Sequence, residues 1–198
     1  MAAIIAACVA VRQWVIGALS RARVPFIERI LDLAPPLSSR DAVLDFGAGM
    51  GTLTQVLRAR GMKGVTALDV TDAYGAGAMV YSGGRIPFPD RAFDVGFAIA
   101  VLHHIPKMEA SLAELARVCK RVVVVEDVPR VPVHFFTIGA MDSLYNLDFA
   151  DNPHNNRTDP QWRALFDGVG LRVAYAVDLP PSVFHNRLYA LDHGVVPT

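Results

Sequence analysis

Val43-Leu44-Asp45-Phe46-Gly47-Ala48-Gly49-Met50-Gly51 leads from apolar residues and one acid into glycines at alternate positions, and Thr52-Leu53-Thr54-Gln55-Val56-Leu57 continues with helical spacing. The pattern predicts a strand over 42–46, a tight turn, and a helix over 51–60. Glycine accepts positive φ and lets a ligand approach main-chain amides, so Gly47, Gly49 and Gly51 suit a sharp, ligand-facing bend. The helix N-terminus behind them favours an anionic group. The dinucleotide fingerprint Gly-x-Gly-x-x-Gly is not met, because its third glycine would fall at Thr52. A general nucleotide-binding turn and a purely structural turn are the competing readings.

Working outward, Gly61 caps the helix, and Val65-Thr66-Ala67-Leu68-Asp69-Val70 reads as a second strand ending in an acid, 24 positions beyond Asp45. An acid at about that distance from a glycine turn is placed to accept hydrogen bonds from ribose hydroxyls. Residues 71–81 are too few for a full crossover helix, and Gly75 and Gly77 weaken one further. A third strand is expected at 78–82, a proline-fixed loop at 83–92 and a buried parallel strand at 93–100. Met108 to Val118 has helical spacing, and Arg121 to Asp127 is a β-branched strand ending in Glu126-Asp127. Residues 128–160 break both periodicities and gather prolines, aromatics, Asp142, Asn146, His154 and Asn155. Such an insertion beyond a strand's carboxyl end is where open α/β sheets place ligands. A short helix at 161–167, a sixth strand at 171–177 and a seventh at 184–191 close the chain.

On the amino-terminal side, Ile4, Cys8, Val11, Val15, Ala18 and Ala22 recur at helical steps. A second helix is expected at 24–33, opened by Pro25 and stopped by Pro35-Pro36. Packing on the core as a cap is the main expectation for residues 1–38. Membrane-surface contact is the alternative, since three arginines and no acid precede Glu28.

Nineteen basic and nineteen acidic residues in 198 leave no electrostatic footprint for nucleic acid, and they favour a partner that is neutral or small. The length suits one domain over 1–198: a cap at 1–38, a ligand-binding half at 39–127, an insertion at 128–160 and a carboxyl-terminal part at 161–198. The longest apolar run, Ala2 to Val11, is ten residues, short of the roughly 20 that a span needs. No basic residue precedes it, as a secretory signal would require. Cys8 and Cys119 lack metal or redox spacing, which suits a reducing, cytoplasmic setting.

With these pieces in order, residues 38–191 resemble the class I S-adenosylmethionine-dependent methyltransferases. Val43 to Gly51 resembles their motif I, Asp69 their strand-2 acid, Ile86-Pro87-Phe88-Pro89-Asp90 with Phe93-Asp94 their Leu-Pro-Phe…Phe-Asp signature, and Val101-Leu102-His103-His104-Ile105 their Leu-His-His segment. Glu126-Asp127 and Trp162-Arg163-Ala164-Leu165-Phe166 match a subgroup with a compact loop after strand 2. Ser82 stands where the family commonly has an aspartate for the adenine. The resemblance implies a three-layer α/β Rossmann-like fold with a mostly parallel seven-stranded sheet, its last strand antiparallel, and S-adenosylmethionine as cofactor. It implies cofactor contacts at Asp45, Gly47, Gly49, Gly51 and Asp69, with Ser82, Gly83 and Ala100 completing the candidate set.

Methyl transfer from a sulfonium needs alignment and water exclusion, and neither a metal nor a covalent residue. A general base would assist a hydroxyl or amine acceptor, and His104, His154, Glu126 and Asp127 are the candidates. Asp142, Asn146, His154 and Asn155 are candidates for binding the acceptor, taken to be a small molecule. The His103-His104 pair has no third metal ligand at a recognised spacing. A nicotinamide-dinucleotide oxidoreductase and a non-catalytic cofactor-binding or interaction protein are the alternatives.

Overall fold

The computed structural model describes residues 2–130, 155–180 and 185–194, and for residues 2–10 and 12 the backbone alone. In chain order the elements are α1 (Ala2–Leu33), β1 (Val43–Phe46), α2 (Thr52–Ala59), β2 (Val65–Asp69), β3 (Met79–Val80), β4 (Phe93–Ile99), α3 (Met108–Val118), β5 (Cys119–Asp127), α4 (Asp159–Gly168), β6 (Leu171–Asp178) and β7 (Asn186–His193). The strands form one seven-stranded sheet in the order β3-β2-β1-β4-β5-β7-β6, parallel except for β7, which is antiparallel to both neighbours. Strand order reverses direction between β1 and β4, and open α/β sheets bind ligands in the crevice at the carboxyl ends of such a pair.

The β-branched run of β5 shows why the sheet is covered on both faces. Val122 and Val124 point into a core with Leu112 and Leu115 of α3 and with Trp162 and Phe166 of α4. Val123 and Val125 point the other way, into a core with Ile27 and Ile30 of α1 and with Leu53, Val56 and Leu57 of α2. All four valines are fully buried, each contributing about 1.5–3 kcal/mol relative to exposure. The result is a three-layer sandwich whose central strand has no solvent face.

Three local expectations need correction. The amino-terminal segment is one helix, not two, and it continues through Pro25. Pro25 is exposed, so its ring faces solvent, while Ile27, Ile30 and Leu31 beyond it are buried and hold that part of the helix against the core. α4 starts at Asp159, two residues before the expected 161, because Thr158 and Gln161 form a capping box and Pro160 sits in the first turn. β3 is two residues long, since only Leu68↔Met79 and Asp69↔Val80 pair before the chain leaves the edge. The abbreviated crossover before it is held by Asp72, whose carboxylate accepts the amides of Ala76 (2.8 Å) and Gly77 (3.2 Å).

The carboxyl-terminal half of α1 is tied to the body by polar contacts as well. Ser20 Oγ and Thr52 Oγ1 share a buried hydrogen bond of 2.9 Å, Arg60 pairs with Glu28, and the Tyr175 hydroxyl donates to the Leu33 carbonyl at 2.8 Å. Among the described residues no helix is long and apolar enough to cross a membrane.

Candidate active site

The turn between β1 and α2 is built on left-handed glycines. Gly47 has φ +69° and Gly49 φ +51°, conformations that side chains with a Cβ rarely adopt. The Gly47 and Ala48 amides both donate to the Leu68 carbonyl, at 2.8 and 3.2 Å, which locks the turn onto β2. The Gly49 amide donates to Asp69 Oδ2 at 2.8 Å, so the acid ending β2 also braces the glycine turn. A methyl on Gly47 would stand 2.1 Å from Val101 Cγ2, so this glycine is required for close packing. A methyl on Gly49 would meet nothing nearer than the Gly47 carbonyl oxygen at 4.0 Å, and would project into open space.

That space belongs to a cavity of about 360 Å³ at the carboxyl ends of β1, β2 and β4, within the usual range for small-molecule sites. Gly47 to Met50 form one wall, with Asp45 beneath and Asp69 and Val70 beside them. Ile99, Ala100, Val101, His104 and Ile105 form the β4 side. Tyr74 and Tyr81 add aromatic surface, and Arg23, Phe26 and Ile27 of α1 complete the lining.

Asp45 is only 5% exposed, and its Oδ2 accepts both the Thr54 hydroxyl (2.6 Å) and the Thr54 amide (3.1 Å). Burial pushes its carboxyl up to about 6, the Thr54 hydrogen bonds oppose that rise, and the Asp69 charge adds to it. A buried acid in this condition is poised to gain from a cationic ligand. Ala100 has φ +49°, an uncommon conformation for alanine, and its amide donates to Val125 O at 2.8 Å. Such backbone strain concentrates at ligand sites.

The segment after β4 is a short 3-10 turn, Leu102–His104, and Glu126 organises it. Glu126 Oε1 accepts the amides of Val101 (3.1 Å) and Leu102 (2.8 Å), and Oε2 meets His103 Nδ1 at 2.5 Å. Both side chains of the pair are fully buried. The arrangement splits the two histidines: His103 is structural, while His104, its ring 3.9 Å from that of His103, lines the cavity. It also revises the candidate bases, because neither Glu126 nor Asp127 lines the cavity. Asp127 is buried and accepts a hydrogen bond from the Asn186 side chain.

Of the expected cofactor residues, Asp45, Gly47, Gly49, Asp69 and Ala100 line this cavity together. Gly51 sits behind them at the N-cap of α2, with φ +69°. Ser82 and Gly83 do not line it; they are exposed in the loop after β3, and the preceding Tyr81 lies at the cavity instead. Asp142, Asn146 and His154 lie outside the described residues. Asn155 is exposed, and its amide donates to the His103 carbonyl at 3.0 Å. Sequence reasoning missed Arg23, Phe26 and Ile27, because nothing local indicates which face of α1 meets the glycine turn. It also missed Tyr74 and Tyr81, although Tyr81 adjoins the position singled out at Ser82.

Comparison with known proteins agrees with this architecture. Residues 44–124 match the family described as "Methyltransferase domain". A S-adenosylmethionine-dependent methyltransferase from Aquifex aeolicus superposes with a TM-score of 0.62 at 20% identity, over 83% of this chain and 88% of that one. Geranyl diphosphate methyltransferase in complex with S-adenosylmethionine gives 0.68 at 16% identity, over 87% and 86% of the two chains. A Haloferax volcanii protein solved with the methyltransferase activator Trm112 gives 0.68 at 17%, over 86% and 89%. No curated protein matches in sequence. Residues 44–124 thus match a methyltransferase domain, and the fold is the Rossmann-like one in which such neighbours hold S-adenosylmethionine.

The cavity fits that group on its own chemistry. The space a Gly49 Cβ would enter is a cradle for a ligand close to the backbone. Asp45 and Asp69 offer carboxylates for cationic and hydroxyl groups, and Tyr74, Tyr81 and Phe26 offer surface for a flat ring.

Proposed function

We propose that the chain methylates a small-molecule acceptor by in-line displacement, with the cavity under α1 as its cofactor site. What supports the reading most is the meeting of Asp45, Gly47, Gly49 and Asp69 at one crevice of the sheet, roofed by α1. When bound, S-adenosylmethionine supplies a methyl group already activated on a sulfonium. The chain's own work is to bind, align and exclude water. Asp45 is assigned to offset the positive methionine end. Asp69 is assigned to the ribose hydroxyls, one of its oxygens remaining on the Gly49 amide. Gly51 and Ala100 hold the backbone on either side, and Tyr81 takes the part expected of Ser82 and Gly83.

His104 is assigned as the base for an acceptor proton, being the one candidate among the described residues that lines the cavity. Glu126 is assigned to positioning, through its grip on the 101–103 backbone. Residues 128–160 are read as the acceptor wall, carrying Asp142, Asn146, His154 and Asn155. The Asn155 amide on the His103 carbonyl supports this, since it anchors the end of that segment beside His104. The whole chain is read as one methyltransferase domain in a reducing, cytoplasmic setting, to which the free, buried Cys119 thiol is suited, its pKa pushed up to about 12 by burial.

The test is to incubate the protein with methyl-labelled S-adenosylmethionine and a cell extract, then separate products by size. Label in the low-molecular-weight fraction is the expected result. Label confined to protein or RNA would overturn the small-molecule reading.

A further inference from the structure

Among the described residues Arg23 is the one arginine or lysine that lines the cavity, and it comes from α1, not from the sheet. Two neighbours fix where it stands. Residues three and four apart share a helix face, so Ser20, Arg23 and Ile27 form one stripe of α1. Ser20 is buried, and its hydroxyl shares the 2.9 Å hydrogen bond with Thr52, the first residue of α2 and itself part of the lining. Ile27 is buried in the core that contains Leu53. Arg23 is therefore carried between two buried contacts with the first turn of α2. It is half-buried, and Phe26 and Ile27 line the cavity beside it, so a charge there interacts more strongly than at the open surface.

The same turn of α2 also carries the buried acid of the cavity. Asp45 is held by the hydroxyl and amide of Thr54, so the consecutive residues Thr52, Leu53 and Thr54 bring Arg23 and Asp45 to one end of one helix. The methionine end of the cofactor carries an ammonium and a carboxylate on the same carbon, and a group that draws the one brings the other with it. Asp45 suits the ammonium and repels the carboxylate. Arg23 and His104 are the described lining residues that can be cationic, and His104 stands on the β4 side. Arginine is always charged, and its planar fork matches a carboxylate in two parallel hydrogen bonds. We infer that Arg23 binds the α-carboxylate of S-adenosylmethionine, so that α1 supplies the anion-binding half of a site whose cation-binding half, Asp45, comes from β1. This role rests on the cofactor reading of the cavity. A carboxylate on the acceptor is the other source of the same chemistry, and it would leave cofactor affinity independent of Arg23.

Calorimetric titration of the full chain with S-adenosylhomocysteine and with decarboxylated S-adenosylhomocysteine, which keeps the amine and lacks only the carboxylate, isolates the contact. Wild type is expected to bind the decarboxylated ligand about ten- to a hundredfold more weakly, the usual worth of a hydrogen bond to a charged partner. Arg23→Met should bind S-adenosylhomocysteine more weakly by the same factor, yet bind the decarboxylated ligand with wild-type affinity, which also shows that its site is folded. Arg23→Lys keeps the charge without the fork and should fall between the two, and it carries the same comparison if the methionine variant does not fold. Arg21→Met, at an exposed position two residues earlier on α1, should change neither affinity. A folded Arg23→Met protein that binds S-adenosylhomocysteine as wild type does, or that loses both ligands equally, would overturn the role of Arg23 and leave the cofactor site standing. Failure of wild type to bind S-adenosylhomocysteine would overturn the cofactor reading itself, and this role with it.

Discussion

Asp45→Asn is expected to stabilise the protein by about 2 kcal/mol near pH 7 and to weaken S-adenosylhomocysteine binding by roughly tenfold or more. The folded-state pKa of about 6 lies above the ordinary aspartate value of 3.8, so folding favours the protonated acid. Below about 3.8 both states are protonated and the penalty is absent. As pH rises from there through 6, the unfolded chain ionises first and stability falls. Above 6 the buried charge costs on the order of 3 kcal/mol, because each tenfold loss of acidity is worth about 1.4 kcal/mol. Asparagine keeps a carbonyl oxygen for the Thr54 amide and hydroxyl without that charge. For a chain of this size the gain amounts to roughly 4–8 °C in Tm. Wild-type affinity should likewise decline below about pH 6, where Asp45 takes up a proton. An Asp45→Asn protein that melts at or below the wild-type temperature near pH 7 would contradict this account of the buried acid.

Glu126→Ala is expected to cost about 3–5 kcal/mol in urea unfolding, because it strips partners from buried groups. The Val101 and Leu102 amides and the His103 ring all lose their acceptor at once. Val101 packs directly against Gly47, so the loosened turn should also lower cofactor affinity. Glu126→Gln keeps one oxygen for the two amides and should lose only about 1–2 kcal/mol. Equal small losses in both variants would show that Glu126 does not organise the turn.

How far the sequence carried depends on the range of the interactions involved. The glycine turn, the Asp69 strand end and the valine run of β5 were legible because each is decided within a few residues. The continuity of α1 through Pro25 was not, since burial of Ile27, Ile30 and Leu31 against the core outweighs the local break. Nor was the arrival of Arg23 and Phe26 at the cavity, which depends on how α1 lies over α2. Glu126 illustrates a subtler limit. Its place at a strand end made it a candidate base, but only three-dimensional pairing shows that its oxygens are turned to Val101, Leu102 and His103. Thr158-Asp159-Pro160-Gln161 carries a capping box that marks the start of α4, a local signal the expected start at 161 overlooked.

The central claim is that the cavity between the glycine turn, Asp69 and α1 binds the cofactor. Calorimetric titration of wild type and Asp69→Ala with S-adenosylhomocysteine, and of wild type with a nicotinamide dinucleotide, tests it most directly. One-to-one binding of S-adenosylhomocysteine, a loss of about 1–3 kcal/mol in Asp69→Ala, and no heat from the dinucleotide are expected. Unchanged S-adenosylhomocysteine affinity in a folded Asp69→Ala protein, or preferential binding of the dinucleotide, would contradict it.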